Sequence, residues 1–142
     1  MIAVDTNLLV YAHRSRVPEH RAALRTLDRV HRDPRGWGVA LRSVVEFWSV
    51  VTHPAASGRA STPAEARAFF ETLAGDAGGR IWRPGETFRE RLLALAARLD
   101  VRGPRIFDLE IALTALDNGA SEIWTLDGRF VKVPGLKVLR PF

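Results

Sequence analysis

Short apolar runs alternate along this chain with longer stretches of helical periodicity, and few architectures accommodate that rhythm. Ile2-Ala3-Val4, WGVAL (37–41), RIWRP (80–84), EIWTL (122–126) and LKVL (136–139) have the length and composition of strands. Between them, residues 17–33 place Ala23, Leu24, Leu27 and Val30 at helical spacing. Residues 86–100 do the same with Phe88, Leu92, Leu95, Ala96 and Leu99. The segment 43–54 is a mostly apolar helix ended by Pro54, and 62–75 opens with a Thr62-Pro63…Glu65 capping pattern and closes at Gly75. Residues 106–120 form a further helix, stopped by Asn118-Gly119. Strands alternating with helices predict a parallel sheet covered on both faces: an α/β fold, a three-layer α/β/α sandwich. At 142 residues the chain is expected to be one domain, 1–142.

Composition removes several function classes. There is no cysteine, so no disulfide framework and no Cys-based zinc or redox centre. His13, His20, His31 and His53 lack metal-site spacing. No apolar run nears the ~20 residues that span a bilayer, and no secretory leader precedes the first strand, so a soluble cytoplasmic protein without a membrane partner is expected. No nucleophile elbow or phosphate-cradling Gly-Lys-Ser/Thr loop occurs. The net charge is +5, and of 21 basic side chains only Lys132 and Lys137 are lysine. Arginine suits phosphate because its planar fork makes paired contacts, although scattered arginine also serves as a solvated surface. Of the four tryptophans, Trp48 and Trp124 lie in apolar runs and are expected in the core rather than against bases.

Sites in open α/β sheets form beyond the carboxyl ends of the strands. Asp5 ends the first strand, inside the polar triplet Asp5-Thr6-Asn7, and Asp127 ends EIWTL, so both emerge on one edge. Asp108 lies in the first turn of its helix and can face the same edge. Glu46 is the only charged residue in SVVEFWSVV, and a carboxylate there needs a partner or a wet cleft. Each has a plainer reading. Asp5 and Asp108 suit helix caps, Asp127 suits a turn before Gly128, and Glu46 suits an arginine partner. Together they make an oxygen-only set fitted to a hard cation, Mg²⁺ or Mn²⁺.

VDTNLLVYA, VVEFWSVVTHP, FDLEIALTAL and IWTLDGRF-VKVPGL, in that order, resemble the PIN-domain nucleases, and among them the VapC-type toxins. The resemblance spans essentially the whole chain. It implies a PIN-like sandwich and a metal-dependent endoribonuclease acting on RNA. It also implies a homodimer silenced by a cognate antitoxin. Carried onto this sequence, it makes Asp5 and Asp108 the principal Mg²⁺ ligands, with Glu46 and Asp127 completing the site and Asn7 and Thr125 supporting it. One departure stands out: many members carry Asp-x-Asp-Phe where this chain has Asp127-Gly128-Arg129-Phe130, which weakens the case for a second metal ion. Arg129 is left to contact an RNA phosphate or to point to water. Two further functions compete. One is a catalytically inactive PIN fold that binds RNA or protein. The other is an aspartyl phosphatase of the haloacid-dehalogenase kind, which wants Asp where Asn7 stands.

Overall fold

The computed structural model describes residues 1–55, 59–75 and 78–142. The elements run β1 (Ile2–Val4), α1 (Thr6–His13), α2 (His20–His31), β2 (Trp37–Ala40), α3 (Leu41–Thr52), α4 (Pro63–Ala74), β3 (Arg80–Trp82), α5 (Phe88–Arg98), α6 (Arg105–Asp117), β4 (Glu122–Trp124) and β5 (Lys137–Leu139). All five strands are parallel, in the order β3-β2-β1-β4-β5, so β1 is central and pairs with β2 on one side and β4 on the other. A central parallel strand is buried on both faces, which is why Ile2, Ala3 and Val4 are all apolar. Ile2, Val4, Trp37 and Val39 face one core with residues of α1, α2, α3 and α4; Ala3, Ala40, Trp82 and Ile123 face a second core with α6 and residues 130–136. The result is the expected three-layer α/β/α sandwich.

The capping box at Thr62 and Glu65 forms, and α6 ends where Gly119 turns to φ 79°, a backbone that glycine adopts without penalty. Gly38 serves another purpose. A Cβ there would lie 2.4 Å from Trp82 Cε2 and 2.7 Å from the Arg80 carbonyl oxygen, so the indole covers a gap that only glycine leaves. Gly38→Ala is therefore expected to force β2 and β3 apart. It should cost about 2–3 kcal/mol and lower the melting temperature by roughly 5–10 °C, read by thermal denaturation.

Three expected faces are corrected. Trp48 is 40% exposed rather than core. Successive helical residues point about 100° apart, so Phe47 and Trp48 cannot both face inward. Phe47 takes the core, stacked on Phe69 and edge-on to Phe70 and His13. On α2 the inward stripe is Ala23, Thr26 and Val30, with Leu27 beside it, leaving Leu24 45% exposed. Leu99 caps α5 and is exposed, while Phe88, Leu92, Leu95 and Ala96 do pack on the second core. Trp124 is half-buried at the edge of the first core, with the Arg29 guanidinium over its ring. No helix among the described residues is long and apolar enough to cross a membrane.

Candidate active site

Asp5 sits one residue past β1, where the backbone still pairs with β4 through Asp5 N–H to Trp124 O (3.1 Å). Only 5% of it is exposed, and both carboxylate oxygens accept hydrogen bonds. Oδ1 accepts from Thr6 N (2.7 Å), capping α1, and Oδ2 accepts from Asn7 Nδ2 (2.7 Å) and Thr125 Oγ1 (2.6 Å). Capping and membership of the acidic set are therefore not alternatives for Asp5. Asn7 uses the rest of its amide on the strand end opposite: Nδ2 also donates to Thr125 Oγ1 (2.9 Å), and Oδ1 accepts from Leu126 N (3.0 Å). Thr125 Oγ1 in turn accepts from Asp127 N (2.9 Å). The polar triplet thus stitches the end of β1 to the segment leaving β4.

The other three acids come from three more segments. Glu46, one turn into the apolar α3, makes no ion pair among the described residues; Oε2 accepts from Thr6 Oγ1 (2.9 Å). The nearby Arg42 is committed to Glu110 at 2.6 Å, with its guanidinium 4.6 Å over the Phe107 ring. Asp108 is not a cap: α6 begins after Pro104, and the Asp108 carboxylate makes no hydrogen bond among the described residues. Asp127 does hold a turn, accepting from Arg129 N at 2.8 Å. The Arg129 side chain is 90% exposed, with its guanidinium 4.0 Å from Asp127. Asp5, Glu46, Asp108 and Asp127 all line one cleft of about 370 Å³, together with Thr6, Asn7, Val10, Tyr11, Arg14 and Val50.

Crowding and burial show in the acids' proton affinities. Burial pushes the Asp5 carboxyl up to about 6, against the hydrogen bonds from Thr125 and Thr6, and the charges on Asp108 and Glu46 add to the rise. Asp108 also rises to about 6, chiefly through burial and then through Asp127 and Glu46, with Arg105 and Arg129 opposing. Glu46 is raised by burial too, partly offset by the Thr6 hydroxyl and Arg42. As placed, no three acidic or histidine side chains among the described residues are grouped closely enough to share one ion. The donor set itself is all oxygen and strongly anionic, and it includes a carboxylate with no other partner. That chemistry fits Mg²⁺ or Mn²⁺ and no softer metal.

All six residues singled out in the sequence, Asp5, Asn7, Glu46, Asp108, Thr125 and Asp127, thus gather at one sheet edge. Thr6, Tyr11 and Arg14 were missed. Thr6 holds Glu46 through its hydroxyl, and Tyr11 and Arg14 lie four and seven residues beyond Asn7 on the same face of α1, a spacing that points to them once Asn7 is placed.

Known proteins share this fold. The PIN domain family model matches residues 2–136. Ribonuclease VapC43 of Mycobacterium tuberculosis and a VapC ribonuclease of Mycobacterium bovis are each 34% identical over 122 residues, covering 85% of this chain and 82% of theirs. Among solved structures, VapC20 of Mycobacterium tuberculosis, a sarcin–ricin loop cleaving toxin, has the same fold with a TM-score of 0.69 over 92% of both chains, at 17% identity. VapBC2 from Rickettsia felis, bound to a DNA fragment from its promoter, matches with a TM-score of 0.69 over 98% of both chains, also at 17% identity. The chain belongs to the PIN-domain family, in its VapC-type branch.

Proposed function

We propose that this protein is a Mg²⁺-dependent endoribonuclease that serves as the toxin of a toxin–antitoxin pair. The observation that carries the reading is the convergence of Asp5, Glu46, Asp108 and Asp127 on one cleft. The VapC ribonucleases at 34% identity support the reaction class, and VapBC2 among the structural neighbours supports an antitoxin partner. The family resemblance extends this to a homodimer.

In this reading Asp5, Glu46, Asp108 and Asp127 would hold the cation, with Mn²⁺ an acceptable substitute. When bound, the ion supplies Lewis acidity toward a phosphodiester and lowers the pKa of a water it carries. The chain's own residues do the rest. Thr6, Asn7 and Thr125 lock the Asp5 oxygens in one orientation, so that ligand is set before substrate arrives. Thr6 engages only one Glu46 oxygen, leaving Oε1 to take the proton of the attacking water. Asp108, which accepts no hydrogen bond among the described residues, would be free to ligate the cation. Arg129 in place of a second aspartate favours a single ion. A phosphatase using Asp5 as nucleophile is disfavoured, because Asn7 stands where that chemistry wants a second aspartate.

Inducing the protein alone in a bacterium should arrest growth, and Glu46→Ala should relieve the arrest. The purified chain should cleave RNA with Mg²⁺ and not with EDTA. Arrest by both wild type and variant, with no metal-dependent cleavage, would leave an inactive binding module as the better account.

A further inference from the structure

Next to the acidic cleft lies a second pocket, of about 290 Å³, whose lining includes His13, Arg14, Arg16, Arg59, Ser61 and Glu65. The two share a wall, since Arg14 lines both. Helix α1 connects them. Asn7, Tyr11 and Arg14 recur at i, i+4 and i+7, so one face of the helix runs from the acids, past an aromatic ring, to a cation about 10 Å along the axis.

The charge of this second pocket is opposite to that of the first. Arg14 spends one N–H on the Val50 carbonyl (3.2 Å), leaving the rest of its fork available. Arg59 is paired with Glu65, whose other oxygen caps α4 through Thr62 N. Arg16 is exposed and has no hydrogen bond or ion pair among the described residues. His13 adds no charge at neutral pH. Its ring lies edge-on to Phe47 and Phe69, burial lowers its proton affinity, and it shares a hydrogen bond with Ser61 (2.8 Å). Three guanidinium groups therefore face one carboxylate.

A polyanion approaching four carboxylates is repelled until cations compensate, and these arginines stand where a strand leaving the cleft along α1 would pass. We propose that the Arg14–Arg16–Arg59 pocket is a subsite for a backbone phosphate of the RNA strand, flanking the one cleaved. It rests on the ribonuclease reading for the identity of the strand. Arginine provides the paired N–H contacts a phosphate takes, and Arg16, uncommitted in the fold, is the contact free to form.

The test is binding of a labelled single-stranded RNA oligonucleotide in EDTA at low ionic strength, by fluorescence polarisation, across a salt series. Arg16→Ala should weaken binding by about 5–10-fold and reduce the slope of log affinity against log salt by about 0.7, the value for one single-strand phosphate contact. Arg16→Lys should recover part of the affinity. Arg25→Ala, the same charge change at an exposed position on α2 outside both pockets, should shift affinity less than about 2-fold. Equal losses from Arg16→Ala and Arg25→Ala would mean diffuse attraction and overturn the subsite, as would no change from either or no binding by the wild type. Mg²⁺-dependent cleavage of the same RNA is scored separately. A specific Arg16 defect without cleavage would sink the nuclease reading alone, and cleavage without that defect would sink the subsite alone.

Discussion

Asp108→Asn is expected to abolish RNA cleavage, by 10²-fold or more on the scale of losing one electrostatic contact to the reacting group, while making the metal-free protein more stable. The two effects share a cause. Asp108 accepts no hydrogen bond among the described residues and does not cap α6, so an amide of the same shape removes no structural contact. What it removes is a charge held unfavourably by burial and by Asp127 and Glu46. The carboxyl is partly exposed, so solvent screens much of that penalty and the gain should be on the order of 1 kcal/mol, or about 2–4 °C in melting temperature at neutral pH. Thermal melting of both proteins in EDTA measures it. A variant that melts lower than wild type would show that Asp108 supports the helix rather than the site.

The stabilisation that Mg²⁺ gives should grow with pH. Asp5 and Asp108 both stand near 6 in the folded chain, against 3.8 for an ordinary aspartate. Each raised acid therefore holds a proton in the fold that the unfolded chain has already lost. The stability this confers is complete below about pH 4 and disappears as pH rises through 6. For the buried Asp5 the loss is on the order of 3 kcal/mol, with less from Asp108. Other groups act in the opposite sense. Asp33, held at about 2 by Arg35, and Glu65, Asp117 and Glu122, also lowered, matter only below their unfolded values, and His13, lowered by burial, adds stability as pH climbs toward 6.5. They lie outside the acidic set and contribute equally with and without metal, so the difference between Mg²⁺ and EDTA isolates the acids. That difference should be near zero at pH 4.5. At pH 7.5 it should reach about 2.7 kcal/mol once free Mg²⁺ is ~100 times its dissociation constant, a melting shift of roughly 5–10 °C. A shift equal at both pH values would mean that the ion binds elsewhere.

Much of the architecture is legible in the residues because it is periodic. Apolar runs of strand length between helical stretches give the layers, and strand ends give the edge on which Asp5 and Asp127 emerge. Glu46 stands out because an apolar helix has no reason of its own to carry an acid. Helix orientation is harder to read. A pattern fixes a face only to within about 100°, and that margin put Leu24 and Trp48 on the wrong side. The contacts that organise the site were beyond any spacing rule. Thr125 Oγ1 meets the Asp5 carboxylate across 120 residues, and Thr6 meets Glu46 across 40. Thr6 was invisible for that reason, whereas Asn7 and Thr125 were reached through family likeness.

The central position of β1 has a consequence for synthesis. A nascent chain emerges in order, and at about 5–20 residues per second the segment carrying Thr125 follows Asp5 by roughly 6–24 s. During that interval β1 can pair with β2, but the β4 side of the sheet is empty and the Asp5 oxygen that Thr125 engages has no hydroxyl to meet. The four acids do not share a cleft until the ribosome has passed Asp127. Translation products that stop short of that segment therefore have no assembled site, and the cleft forms in one step rather than by degrees. A partner of the kind proposed above has that interval in which to be ready.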